Sequence, residues 1–155
     1  MSQPFEVMIR NARPTDTTAL AALLALTKLP LDGVTEHLDT FVVADDGAGV
    51  VASAGLELHD RHALLRSGAV GPALQGTGLG RTMIAAALDL ARARGAETVT
   101  LLTTTAADYF TRFGFGPIDH ASAPAAVRRS TQFNGICPAS AVAMQLILKP
   151  TQVTS

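Results

Sequence analysis

A single cysteine, Cys137, leaves the chain no internal disulfide and no thiol cluster for a structural zinc ion. Charge of either sign is sparse and nearly balanced: 12 Lys and Arg face 13 Asp and Glu, for a net charge of −1 and a pI near 6.4. That balance lacks the basic surface a nucleic-acid partner needs. Long apolar runs are missing too. The longest, Ala19–Leu26, is far too short to span a bilayer. Met1-Ser2-Gln3-Pro4 carries no basic segment leading into an apolar one, so no signal peptide is expected. These absences point to a cytoplasmic protein with no nucleic-acid and no membrane partner. What the chain does have is core material, with 48% hydrophobic residues in 155, the size of one compact domain. One domain over residues 1–150 is expected, followed by a loose tail over 151–155.

Periodicity and breakers set the order of elements. Phe5–Arg10 reads as a strand. Pro14-Thr15-Asp16 opens a helix, with Thr15 or Asp16 as N-cap, and Leu20, Leu23, Leu24 and Leu26 form its apolar face. Lys28–Gly33 breaks that helix, and a short second helix is expected around Val34–Leu38. Thr40–Ala44, Val50–Leu58 and Ala63–Val70 read as strands, joined by Asp45–Gly49 and by the tight turn His59-Asp60-Arg61-His62. A long helix follows over Gly78–Arg94, with Ile84, Ala87, Leu88 and Ala91 on one face and Gly95 as its stop. Glu97–Thr103 is a strand, Ala106–Phe113 a short helix ending at Gly114, and Phe115–Ile118 a strand. Pro124–Ser130 reads as a short helix and Ala139–Leu148 as the last strand. Early hairpins followed by alternating helices and strands predict an α+β (mixed α/β) layer fold.

The loop Gln75-Gly76-Thr77-Gly78-Leu79-Gly80-Arg81 joins a strand to the long helix. A helix N-terminus carries unpaired N–H groups and partial positive charge, and glycines let a phosphate reach them. Arg81 adds a charge-assisted donor. A dinucleotide fingerprint starting at Gly76 would need glycine where Arg81 stands, and a Walker loop would need a lysine before Thr82. Taken alone, the loop also fits a tight turn that merely starts a helix.

The pattern Q-x-x-G-x-G after a strand ending Ala-Val-x-Pro resembles the acetyl-CoA pyrophosphate loop of GNAT N-acetyltransferases. The likeness extends along the chain. Ile9-Arg10 with Arg13-Pro14-Thr15-Asp16 resembles the family's opening strand and helix, Arg66-Ser67-Gly68-Ala69-Val70 its fourth strand, and Phe113-Gly114-Phe115 its late Gly-Phe signature. The resemblance implies a central mixed, largely antiparallel sheet of six to seven strands with about four helices. It implies acetyl-CoA as co-substrate, no metal, and pantetheine contacts from the main chain of Ala69 and Val70. Leu101–Phe115 is similar to a subgroup that includes N-acetylglutamate-synthase-like domains and an arsenic-resistance-associated group, and Pro124–Arg129 with Cys137-Pro138-Ala139-Ser140 is especially similar to the arsenic-associated group. Those relatives imply a small amino-acid-like amine acceptor, including arsenic- or phosphorus-containing amino acids. Dimers are common among them, so a homodimer is the assembly the resemblance offers.

Two positions depart from the family pattern. Phe110 stands where many members carry a tyrosine that protonates the CoA thiolate. The adjacent Tyr109 points about 100° away on a helix, and Phe110 is expected to pack on the pantetheine arm. Leu64 stands where several relatives carry a glutamate base. A two-residue turn at Asp60-Arg61 would pair Glu57 with Leu64 and put Arg66 on the same face. Glu57 is therefore the candidate general base, acting through water, and Arg66 the candidate anchor for an acceptor carboxylate. A solvent-facing Glu–Arg pair of little energetic value is the alternative. Thr104, Arg128 or its neighbour Arg129, and Ser140 are further acceptor candidates. Cys137 reads as packing. His59 and His62 are expected at the surface, and no metal site is expected from them. The implied reaction is direct attack of the amine on the thioester. A non-catalytic acyl-CoA-binding domain and a protein or peptide N-acetyltransferase are the competing readings.

Overall fold

The structure is a computed structural model that describes residues 7–133 and 140–148. Cys137 and the expected tail over 151–155 lie outside the described residues. Seven strands are arranged in the order β1-β2-β3-β4-β5-β7-β6. They are β1 (Met8–Asn11), β2 (Phe41–Asp45), β3 (Val50–His59), β4 (His62–Val70), β5 (Thr98–Thr103), β6 (Gly116–Ile118) and β7 (Val142–Ile147). β4 and β5 pair parallel, while β1·β2, β2·β3, β5·β7 and β6·β7 are antiparallel. The helices are α1 (Thr17–Leu26), α2 (Leu79–Ala93), α3 (Ala107–Thr111) and α4 (Ala125–Arg128). Among the described residues, a mixed, largely antiparallel seven-stranded sheet with four α-helices is the expected α+β architecture. Among the described residues, no helix is long and apolar enough to cross a membrane.

The chain divides into two compact units. One takes in the described residues up to Leu56 together with Ser67–Leu90. The other takes in Glu57–Arg66 and the described residues from Ala91 onward. In the first unit, α1 buries Leu20, Leu23 and Leu24 with Val34, Leu38, Phe41 and Ala69. Phe41 lies opposite Gly55 across the β2·β3 ladder, and its ring occupies the space a Cβ on Gly55 would need. The segment expected as a helix over Val34–Leu38 is instead a run of turns ending in a 3-10 turn at Leu38–Thr40. Val34 and Leu38 are buried four residues apart, so the core demands helix-like spacing without a helix. α1 stops at Lys28, which takes φ 63°, with Leu29 N–H bonded to Leu24 O at 2.8 Å and Lys28 N–H to Ala25 O at 3.1 Å. This is a Schellman cap filled by lysine.

Asp16 does not cap α1 in the expected sense. It belongs to a 3-10 turn (Pro14–Asp16), and its carboxylate reaches backwards. Oδ2 accepts the Arg13 backbone N–H at 2.7 Å, and the two oxygens take the Arg10 guanidinium at 2.7 and 3.0 Å. Arg10 also donates to Asp45 at 3.0 Å, tying strand β1 to the end of β2. The bidentate bond from Arg10 is the largest cause that pulls the Asp16 carboxyl down from 3.8 to about 2. The folded state thus binds this proton more weakly than the unfolded chain. The resulting stability, about 2 kcal/mol, is complete above the unfolded value and is lost as pH falls from about 4 to about 2. Asp16→Asn is expected to lower unfolding free energy by that amount at pH 7 and by almost nothing near pH 2. Urea denaturation at the two pH values checks this.

In the second unit, strands β5 and β7 supply the centre. Val99, Leu101, Met144 and Phe115 are buried there. Thr103 Oγ1 accepts the Ala106 N–H at 3.0 Å just before α3. The expected stops at Gly95 and Gly114 both hold, at φ 81° and 97°.

Candidate active site

In the first unit, β4 ends in an irregular stretch. Ser67 takes φ 58°, a left-handed value that interrupts the extended strand, and its carbonyl accepts the Ser53 hydroxyl at 2.7 Å. This irregularity lies just before Ala69 and Val70, whose main chain the family resemblance assigns to the pantetheine arm. Ala69 is buried and Val70 half-buried. Gly71 N–H bonds Val51 O at 2.8 Å, and a 3-10 turn at Pro72–Leu74 leads into the glycine loop.

Residues Gln75 to Gly78 and Arg81 are exposed, and Leu79 and Gly80 half-buried. Gly76 and Gly78 take φ 84° and 90°, and no other atom lies near the place a Cβ would occupy on either. Conformation therefore demands these glycines, and close packing does not. Gln75 folds back so that its Nε2 donates to Val70 O at 3.0 Å, which tethers the loop to the strand end. The Thr77 hydroxyl donates to Leu74 O at 2.6 Å. Thr82 N–H makes the first helical bond, to Gly78 O at 3.2 Å. The amides of Leu79, Gly80 and Arg81 precede it and have no intrahelical acceptor. An open loop of this kind, ending in a helix dipole, suits a pyrophosphate.

In the second unit, one sheet face is polar. The parallel register sets His62 beside Thr98 and Leu64 beside Thr100, while β7 sets Gln145 beside Thr100. His62 Nδ1 and Thr98 Oγ1 are 2.9 Å apart. Two residues beyond Leu64, Arg66 donates to Glu57 Oε2 at 2.7 Å, and both side chains are only 2% exposed. His59 Nε2 lies 2.9 Å from Glu57 Oε1, with its side chain 19% exposed. The Thr100 hydroxyl is buried and has no hydrogen-bond partner among the described residues. Ala63, Leu65, Val99 and Leu101 alternate with these residues and are buried.

Glu57 and Arg66 thus meet, as the two-residue turn requires, and Asp60 takes the positive φ (59°) of that turn. The solvent-facing alternative fails, because the pair is buried. His59 and His62 are half-buried and hydrogen-bonded, contrary to the expectation of surface positions. The other candidates are exposed: Thr104 follows β5, Ser140 precedes β7, and Arg128 donates its Nε to Ala123 O at 3.0 Å. Phe110 is half-buried in an aromatic group with Tyr109, Phe113 and Phe115, at centroid distances of 5.3, 6.4 and 5.8 Å. The sequence pointed His59 to the surface and gave no sign of a role for Thr100. The alternation Thr98-Val99-Thr100-Leu101 marks only its face, since period 2 separates a polar from an apolar face.

The profile of the acetyltransferase (GNAT) family matches residues 10–115. A search of the curated proteins finds no match. Among solved structures, the chain is similar to N-acetylglutamate synthase from Neisseria gonorrhoeae complexed with coenzyme A and N-acetyl-glutamate. The TM-score is 0.78 at 22% identity, over 96% of this chain and 36% of that one. The chain therefore spans about a third of that protein's length. A Mycobacterium tuberculosis protein in complex with CoA gives TM-score 0.73 at 25% identity, over 92% of this chain and 99% of that one. A GNAT-family acetyltransferase from Staphylococcus aureus gives 0.74 at 15% identity, over 93% and 100%. Fold and family profile agree, and the chain belongs to the acetyltransferase (GNAT) family.

Proposed function

We propose that the protein moves the acetyl group of acetyl-CoA to the amine of a small amino-acid-like acceptor by direct attack on the thioester. The observation that carries this reading is the loop Gln75–Arg81, largely exposed and shaped by Gly76 and Gly78 at positive φ, which suits a phosphate. The first-turn amides and Arg81 would take the pyrophosphate. The main chain at Ala69 and Val70 would take the pantetheine arm, with Phe110 packed against it. A backbone N–H near Val70 would stabilise the tetrahedral oxyanion. No acetyl-enzyme is required, and positioning supplies much of the acceleration.

The acceptor side rests on the buried Glu57–Arg66 pair. Burying two charges costs several kcal/mol per ion, which their attraction only roughly offsets. Such a pair is a poor device for stability and a good one for chemistry. Glu57 is the carboxylate of the proton-accepting machinery, and the planar fork of Arg66 suits an acceptor carboxylate or oxyanion. Thr100 supports the same reading, because a buried hydroxyl left without a partner costs about 1–3 kcal/mol and gains when a ligand bonds it. Thr100→Val is expected to raise acceptor KM about tenfold while leaving the acetyl-CoA KM unchanged and the fold as stable or more so. Initial-rate kinetics with each substrate varied in turn checks this.

Thr104, Arg128 and Ser140 are proposed acceptor contacts on the same reading. The acceptor class includes the arsenic- and phosphorus-containing amino acids that the subgroup resemblance implies. The protein would work in the cytoplasm without a metal, and a homodimer is the assembly proposed.

The loop assignment is tested by Gly78→Ala. At φ 90° a Cβ is strained, costing about 1–2 kcal/mol, and it stands in the path of a phosphate. Acetyl-CoA affinity is expected to fall at least about tenfold, as read by titration calorimetry. Unchanged affinity would remove the loop from the cofactor site.

A further inference from the structure

We propose that Ser53 is a positioning residue for the cofactor: its hydroxyl fixes the end of β4 in the shape that receives the pantetheine arm. The proposal rests on the reading of Ala69 and Val70 as that arm's main-chain contacts, and it names the side chain that holds them in place.

Ser53 is an unusual residue for its surroundings. It lies on β3 among Ala52, Ala54 and Leu56, all fully buried, and is itself 0% exposed. A hydroxyl in such a place needs a partner inside the protein. Its ladder neighbour on β2 is Val43, which is buried and apolar. The partner it takes is the carbonyl of Ser67, at 2.7 Å, where β4 leaves the extended conformation at φ 58°. A residue other than glycine is disfavoured in that region, so the shape needs support from outside the strand.

The bond also sets the direction of a peptide unit. In a trans peptide C=O and N–H point opposite ways, and no described peptide bond is cis. The Ser67 carbonyl turned toward Ser53 therefore turns the Gly68 N–H away from it. The far end of the stretch is held in the same manner. Gly71 N–H goes to Val51 O at 2.8 Å, and the Val70 carbonyl, on the opposite side of that peptide, accepts from Gln75 Nε2 at 3.0 Å. Val51 and Ser53, two residues apart on β3, thus hold Gly71 and Ser67, four apart on β4. Between these fixed points Gly68 is exposed while Ser67 and Ala69 are buried. Glycine has no side chain, so what it exposes is main chain. The Ala69 methyl packs in the cluster of Leu20, Leu24 and Phe41, which anchors the next residue as well.

The test measures the affinity of wild type, Ser53→Ala and Ser53→Cys for two ligands. CoA carries pantetheine and pyrophosphate, and ADP carries the pyrophosphate alone. Titration calorimetry reads CoA, and competition against CoA reads ADP. With Ser53→Ala, CoA binding is expected to weaken about tenfold, with ADP binding within about twofold of wild type. Cysteine keeps a weak donor at this place, so Ser53→Cys is expected to show the same split at about threefold. It carries the test should the alanine variant not fold. Wild-type CoA affinity in the variants would overturn the proposal. So would equal losses of CoA and ADP, or failure of both variants to fold, either of which would give Ser53 a structural role only. These results leave the cofactor reading standing. Wild-type protein that binds CoA no more tightly than ADP would instead take the pantetheine arm away from Ala69 and Val70, and this proposal with it.

Discussion

Glu57→Leu and Arg66→Met, made singly, are each expected to cost about 3–5 kcal/mol of stability, and made together to cost about 1 kcal/mol or less. Each single change takes from a buried charge the counter-charge it meets at 2.7 Å, with side chains that are 2% exposed in the native protein. The double change replaces the pair by apolar groups in a face already backed by Leu64 and the aliphatic part of Thr100. The double variant is nevertheless expected to lose at least about a hundredfold in kcat, since on the proposed reading it removes the proton-accepting carboxylate and the acceptor anchor at once. Equilibrium urea unfolding of the three variants, with kcat measured on the double, reads both parts. A double variant as unstable as either single would mean that the pair holds the fold. A stable double variant with wild-type turnover would remove the pair from the chemistry.

Gly55→Ala is expected to destabilise the protein by about 3 kcal/mol, through overpacking rather than loss of a contact. The added methyl would overlap the Phe41 ring, which is fully buried and paired with Gly55 across the ladder. The ring cannot swing aside, because its neighbours are the buried leucines of α1 and Val34 and Leu38. The paired variant Gly55→Ala with Phe41→Leu should recover part of the loss by removing the atoms that clash. Thermal unfolding of the single and paired variants checks this. An unshifted melting temperature for Gly55→Ala would show that the core yields more than its packing implies.

Local chemistry made much of this fold legible. Gly95 and Gly114 marked helix stops because positive φ there is cheap only for glycine. The two-residue turn at Asp60-Arg61 brought Glu57 to Arg66, since alternation in a hairpin determines who faces whom. The glycine loop was readable for the same reason. What escaped was non-local. Val34 and Leu38 have the spacing of a helix face but are buried from a string of turns, so the core imitates the pattern. Asp16 has the composition of an N-cap, yet Arg10 and Asp45, the latter on another strand, draw its surroundings into an ion network. His59 sits at a hairpin end, where sequence suggests solvent, yet it is half-buried and meets the buried carboxylate two residues earlier. Thr100 became notable through its register with Leu64 and Gln145, which no single-strand pattern contains.

The central claim is tested most directly by thiol release from acetyl-CoA across a panel of amines. The panel holds acidic amino acids, their phosphinate and arsonate analogues, polyamines and short peptides. The account expects turnover confined to acceptors that carry a carboxylate or oxyanion beside the amine, and expects Arg66→Met to erase that preference. Silence across the whole panel, with acetyl-CoA still protecting the protein from unfolding, would contradict it and leave an acyl-CoA-binding domain in its place.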